Sequence, residues 1–280
     1  MEEGDKMNYG LIGCGGIGWL RAQALQQIKG DYLLTVHDLD ESRAYALASR
    51  YGSSVESSWG NLIKRDDVEA VIVSTPPSLH AEMAITALEA GKHVLCEKPL
   101  ARTPEECRQI LEAAEKSGTF LATGFNYRFY PSILKARDLF DAGLIGELDY
   151  IRSYSGYTAA DHDHDWLHDY NVMGGGALRD NGIHLIDLTT YFLGDVEEVK
   201  GVASNAVWGF QGCEDNGFVL MRNTAGNIAS LQASWTEWQG YKFVIEIYGT
   251  RGCIRTSCFP MMTQAVWFDV LGGKSRRQSD

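Results

Sequence analysis

Apolar and polar positions alternate in blocks along the first 124 residues. Short apolar runs predict strands at Tyr9–Gly13, Tyr32–Asp38, Ala70–Thr75, His93–Cys96 and Thr119–Thr123, with a weaker sixth near Ser53–Val55. Between them lie longer segments with helical spacing, the alternation expected of parallel α/β units. Thr103-Pro104-Glu105-Glu106 reads as a capping box with proline at the first helical position, and Gly118 closes that helix. Gly91 and Gly52 close the helices that begin near Ser78 and Asp40. Residues 1–124 are therefore predicted to form a doubly wound parallel sheet with crossover helices.

The pattern changes after Gly124, and residues 125–280 are read as a second α/β domain. A helix is predicted from Pro131 to Ala142, then a strand at Leu148–Tyr157, a polar stretch, and a helix from about Gly176 to Leu193. Long strands joined by short turns follow at Val196–Val207, Gly217–Asn223, Asn227–Trp238, Lys242–Tyr248 and Gly252–Thr256. Tyr241, Phe243, Ile245 and Ile247 alternate with Lys242, Val244, Glu246 and Tyr248, which gives one apolar and one mixed face. The apolar face is expected to carry the helices. The mixed face, with Val244, Tyr248, Ser230 and Gln232, is expected to form a subunit interface, and Trp235 and Trp238 to fill the sheet face and that interface.

Composition narrows the partners. A formal net charge of −12 argues against nucleic acid, because phosphate binding needs clustered Lys and Arg. No apolar run is long enough to span a bilayer as a helix, and the acidic start Met1-Glu2-Glu3-Gly4-Asp5-Lys6 does not read as a signal peptide. Six scattered cysteines without a CxxC pair fit reduced thiols, so a cytoplasmic enzyme is expected.

Gly13-Cys14-Gly15-Gly16-Ile17-Gly18 follows the first predicted strand and opens the first helix with GxGxxG spacing. Gly13 permits the tight turn, Gly15 lets the backbone approach a pyrophosphate, and Gly18 lets helix and strand pack closely. The phosphates would then meet free amides at the positive end of the helix. Asp38 ends the second strand twenty residues beyond Gly18, where a carboxylate can accept both adenosine ribose hydroxyls. The same carboxylate would repel the 2′-phosphate of NADP, so NAD is the expected cofactor. Arg43 is read as a solvated charge on the following helix.

Lys98, in Glu97-Lys98-Pro99, stands at the carboxyl end of a predicted buried strand, where open α/β sheets bind ligands. Its ammonium can hydrogen-bond a substrate hydroxyl and stabilise a developing alkoxide. Asp180 and His184 lie four apart on the predicted helix and share a face, with Asp187 beyond. Flanking carboxylates orient an imidazole and suit it to exchange a proton near neutral pH. Asp161-His162-Asp163-His164-Asp165, with His168 and Asp169 behind, offers many ligands but no zinc-type spacing. It is read as a mobile active-site loop, and no metal is expected.

These residues together resemble a known family. Gly13–Gly18, Glu97-Lys98-Pro99 and the block from Gly174 through Asp180, Asn181 and His184 to Asp187 are similar to the glucose–fructose oxidoreductase/inositol dehydrogenase (Gfo/Idh/MocA) family. Thr75-Pro76-Pro77 with His80, the run Tyr127-Arg128-Phe129-Tyr130-Pro131 and Gly143-Leu144-Ile145-Gly146 match in the same order. The resemblance implies an N-terminal Rossmann domain, a C-terminal α+β domain on a large open, mainly antiparallel sheet, and NAD(P)-dependent chemistry on a sugar, polyol or derivative. It implies Lys98, Asp180 and His184 as the catalytic set. It adds Gly16, Ile17, Thr75, Pro76, His80, Glu97 and Lys98 itself to the cofactor contacts, and Asn181, with Arg128 and Trp166, to the substrate contacts. The uncovered mixed face of the C-terminal sheet adds the expectation of a homo-oligomer formed through that sheet. An NAD-using glycosidase- or lyase-like enzyme with transient oxidation, and a non-catalytic cofactor-binding relative, are the alternatives. The family usually continues beyond Leu271 through another strand and a closing helix, so the expectation is a truncated product or a partner subunit covering that surface.

Overall fold

The computed structural model describes residues 6–159, 165–259 and 262–269, with Asp165, Cys258, Phe259 and Met262–Asp269 described by their backbone alone. The chain divides into two compact units, Met1–Gly124 and Phe125–Asp280.

The first unit holds strands β1 (Asn8–Ile12), β2 (Tyr32–His37), β3 (Ser54–Val55), β4 (Ala70–Val73), β5 (His93–Cys96) and β6 (Leu121–Thr123). Helices α1 (Gly16–Leu25), α2 (Glu41–Tyr51), α3 (Trp59–Ile63), α4 (His80–Glu89) and α5 (Pro104–Ser117) connect them. The sheet runs β3-β2-β1-β4-β5-β6 with every pairing parallel. Connections wind in opposite directions from β1 and β4, so a crevice opens at the carboxyl end of β1, beside Gly13. β4 is buried at all four positions, which explains its unbroken apolar run. One core cluster joins Leu11 and Val36 to Ala22 and Leu47 of α1 and α2, and a second joins Ile12, Val71 and Val73 to Met83, Leu88 and Ile110 of α4 and α5. Thr103 Oγ1 accepts from Glu106 N at 3.1 Å, as a capping box requires. The return bond differs, because Glu106 Oε2 accepts from Arg102 N at 2.9 Å. Gly52 and Gly118 close α2 and α5 in the left-handed region, at φ +71° and +68°.

The second unit begins with α6 (Pro131–Asp141) and β7 (Leu148–Gly156), followed by α7 (Tyr170–Met173), α8 (Ala177–Asp180) and α9 (Gly182–Leu193). Strands β8 (Val196–Ser204), β9 (Asn216–Asn223), β10 (Ile228–Ser234), β11 (Lys242–Gly249), β12 (Gly252–Phe259) and β13 (Met262–Asp269) complete it. The seven-stranded sheet runs β13-β12-β11-β7-β10-β9-β8 and is antiparallel except where β7 meets β10. β13 was not among the predicted strands. Phe243, Ile245 and Ile247 pack with Ile133 and Ala136 of α6 and with Leu185, Leu188 and Phe192 of α9, so the apolar face carries the helices. On the opposite face Glu246 is paired with Arg152 and Arg255, and Tyr150 stacks on Tyr248.

The predicted helix from Gly176 to Leu193 is broken, which corrects the premise that Asp180 and His184 share one helical face. Asp180 ends α8 and His184 stands in the first turn of α9. The break follows from the sheet beneath it. Asn181 Nδ2 donates to Ser155 Oγ at 3.3 Å, and a Cβ on Gly182 would lie 2.8 Å from that of Ala233 on β10. Only a residue without a side chain permits that approach.

Candidate active site

In the first unit the chemistry gathers at the carboxyl ends of the parallel strands. Gly13 turns at φ +96°, and a Cβ there would meet Ser74 O at 2.6 Å. A Cβ on Gly18 would lie 2.1 Å from Gly13 O, so the helix and the loop it leaves touch backbone to backbone. At Gly15 and Gly16 a Cβ would meet nothing within 4 Å. Gly15 caps α1 without a side-chain bond to the first turn, which leaves those amides for an anion. Ile17 is 45% exposed beside them. Asp38 Oδ2 accepts from Cys14 N at 2.6 Å and Oδ1 from Asp40 N at 2.8 Å, so the loop backbone itself orients this carboxylate. Each oxygen retains a lone pair for a hydroxyl. An open, amide-lined turn with a fixed carboxylate at the next strand end fits a dinucleotide. Burial, with Asp38 close by, pushes the Cys14 thiol up to about 12 and keeps it protonated. Arg43 is exposed and paired with Asp40 at 3.3 Å.

Lys98 is half-buried at the end of β5, and its bond to Pro99 is cis. Its neighbours differ from the sequence expectation in two respects. Glu97 is buried, and its Oε1 accepts from Arg21 Nε and Nη2, both at 2.5 Å, so this carboxylate serves an ion pair with α1 rather than standing open as a cofactor contact. His80 is fully buried, with Nδ1 2.8 Å from Pro99 O and Nε2 2.8 Å from Thr75 O. Each ring nitrogen faces a backbone carbonyl, so His80 sits between the β4 and β5 turns, and the neutral ring donates its one N–H to one of the two. Burial holds its pKa below the ordinary histidine value, although the two carbonyls and Glu97 pull the other way. Thr75 and Pro76 are part-exposed in the turn that His80 fixes.

In the second unit Asp180 and His184 lie in a buried aromatic setting. Asp180 is 9% exposed, and its Oδ2 accepts from Tyr157 Oη and from Trp235 Nε1, the latter at 3.1 Å. Burial and the adjacent carboxylate push the Tyr157 hydroxyl far above the usual tyrosine range, so it remains a donor. His184 is 6% exposed and lies parallel to the Tyr127 ring at 4.0 Å, with Phe125 edge-on at 6.2 Å. Tyr127 is held by Tyr130, by Phe243 and by a 2.8 Å bond between its hydroxyl and that of Tyr241.

Asp187 stands three residues beyond His184 on α9. Arg128 grips it through Nε at 2.9 Å and Nη2 at 2.6 Å, which also commits the guanidinium expected at the substrate. That pairing raises the Arg128 pKa still further. Asn181 is buried, with its amide turned to Ser155 and Ser234 O, so it anchors α9 to the sheet. Trp166 stands 37% exposed in a 3-10 turn at Asp165–His168. The stretch 161–164, read as a mobile loop, lies outside the described residues. Among the described residues no cluster of three or more His, Cys, Asp or Glu is arranged to hold a metal. No described helix is long and apolar enough to cross a membrane.

The sequence reading missed Arg21, Tyr157 and Tyr241, and it took Trp235 only as packing. Tyr157 was visible as the final residue of a predicted strand, but nothing local aims its hydroxyl 23 residues ahead.

Residues 7–125 match the GFO/IDH/MocA family, described as an oxidoreductase family with an NAD-binding Rossmann fold, and residues 133–255 match its C-terminal domain. The myo-inositol 2-dehydrogenase of Thermotoga maritima is 32% identical over 255 residues, which cover 89% of this chain and 74% of that protein. The levoglucosan dehydrogenase of Pseudarthrobacter phenanthrenivorans is 29% identical over 286 residues, covering 89% and 73%. A solved levoglucosan dehydrogenase in complex with NADH is similar at a TM-score of 0.89 and 27% identity, over 99% of this chain and 80% of that one.

Proposed function

The chain belongs to the Gfo/Idh/MocA oxidoreductase family, and on that premise we propose that it transfers a hydride between a hydroxyl-bearing carbon of a sugar, polyol or sugar derivative and NAD. The observations that carry this reading are two buried groups, Asp180, which accepts from Tyr157 and Trp235, and His184, which stacks on Tyr127.

Bound NAD supplies the hydride acceptor. The glycine loop Gly13–Gly18 and the amides of α1 hold its pyrophosphate, and Asp38 takes the adenosine ribose hydroxyls. That carboxylate disfavours a 2′-phosphate, which supports NAD over NADP. His184 accepts the proton of the substrate hydroxyl during oxidation and returns it during reduction. Lys98 donates a hydrogen bond to the same oxygen and steadies its charge. Asp180, held by Tyr157 and Trp235, orients this exchange and stabilises the protonated imidazole. Arg128 acts by positioning Asp187 on α9, and Trp166 offers an aromatic face for the apolar side of a sugar ring.

The open face of the C-terminal sheet joins copies of the chain. Val202, Phe218 and Leu220 on β8 and β9 are 71%, 46% and 59% exposed there, which supports a homo-oligomer. A cytoplasmic location accords with free thiols at Cys14, Cys96, Cys107, Cys213 and Cys253.

A screen of polyols and sugars for net NADH formation tests the reading. NADH accumulation with one of them is expected. Product formation with no net change in cofactor would instead favour transient oxidation, and NADH binding without turnover a non-catalytic relative.

A further inference from the structure

Lys98 is held on both sides. Downstream, His80 grips Pro99 O from the start of α4. Upstream, Glu97 is 6% exposed, and its carboxylate meets α1 through Arg21 at 2.5 Å from two nitrogens. Glu97 Oε2 lies 3.3 Å from Lys98 N and packs over Gly124, where a Cβ would approach that oxygen to 2.5 Å. Glu97 therefore has one seat, between the glycine of the β6 turn and the guanidinium of α1.

Arg21 stands three residues after Gly18, in the helix whose first turn faces the proposed pyrophosphate. A fork of two charge-assisted bonds fixes both distance and direction between that helix and the Lys98 turn. The side chain is largely buried, so water screens the pair little.

We propose that Arg21 is a positioning residue: through Glu97 it couples the seating of α1 on the dinucleotide to the placement of the Lys98 ammonium. This rests on the NAD reading above. It makes Glu97 the link in the Glu97-Lys98-Pro99 turn rather than a group that meets the cofactor.

The test is the rate at which a small acylating reagent modifies Lys98, read by peptide mass spectrometry with Lys116 as the internal reference. It is run on wild type, Arg21→Lys, Arg21→Gln, Glu97→Gln and the Arg21→Gln/Glu97→Gln pair, with and without saturating NADH. Folding is checked by circular dichroism and NADH affinity by fluorescence. NADH is expected to slow wild-type Lys98 modification about tenfold, and Arg21→Gln and Glu97→Gln to lose most of that protection while binding NADH within about threefold of wild type. Arg21→Lys, with charge but no fork, falls between, and the paired variant is no worse than either single change. Folded variants that bind NADH and keep wild-type protection overturn the coupling. If wild type itself binds no NADH, the NAD reading fails instead. The cofactor-free Lys98 to Lys116 ratio then decides: a change of several-fold in Arg21→Gln supports the positioning role, and an unchanged ratio overturns it.

Discussion

His184 lies flat against Tyr127, with ring centroids 4.0 Å apart and planes within 6° of parallel. An imidazole that must meet a substrate proton at one angle gains its orientation from that stack, and Tyr127 gains its own from Tyr130, Phe243 and Tyr241. Tyr127→Phe retains the ring and loses only the 2.8 Å hydroxyl bond, so kcat should remain within a few-fold of wild type. Tyr127→Leu removes the stack and should lower kcat about 10²-fold, the scale expected when a catalytic group is misplaced by roughly an ångström. Equal effects from both variants would show that the hydroxyl, rather than the face of the ring, holds His184.

Gly15 and Gly18 separate cofactor binding from folding. An alanine Cβ at Gly15 meets no protein atom within 4 Å, whereas at Gly18 it would lie 2.1 Å from Gly13 O. Gly15→Ala should leave the melting temperature nearly unchanged and weaken NADH binding by tenfold or more, because the methyl occupies space meant for the pyrophosphate. Gly18→Ala should lower both. Thermal melts beside fluorescence titrations read the difference, and an unaltered NADH affinity in Gly15→Ala would place the cofactor elsewhere.

His80 links stability to pH. Its pKa in the folded chain lies below the ordinary 6.5, chiefly through burial. Below about that pH the unfolded chain binds a proton that the folded chain refuses, so stability falls as the medium is acidified from 6.5 toward the folded pKa. His80→Gln removes this term. The variant should be less stable near neutrality, having lost the one N–H bond that the neutral ring donates to a turn carbonyl, yet lose less on acidification than wild type. Urea unfolding across that range measures both slopes, and parallel slopes would mean that His80 does not contribute.

The strands of the first unit and the glycine loop were legible in the sequence because both rest on local signals. Short apolar runs, αL glycines and a Thr103 cap are legible residue by residue, and Gly13 and Gly18 each have a steric reason to be glycine. Asp180 and His184 were legible as buried-helix candidates, but the single helix expected to carry both was not. The break at Asn181 depends on Ser155 and Ala233, which belong to strands far along the chain. Glu97 and His80 lie among the family-like motifs, and such motifs name positions without saying whether a side chain meets the ligand or the backbone behind it. Their partners, Arg21 and Pro99 O, are set by tertiary packing. The same holds for Tyr157 and Trp235, which reach Asp180 from two strand ends that no periodicity connects.

The most direct test of the central claim is turnover by His184→Ala beside its affinity for NADH. With a substrate from the polyol and sugar screen, the variant should lose NADH formation by about 10²-fold or more, as expected when a general base is removed. NADH binding should stay within a few-fold of wild type, since the glycine loop and Asp38 belong to the other unit. A His184→Ala enzyme that turns over at the wild-type rate would contradict the account, and the proton acceptor would have to be sought elsewhere.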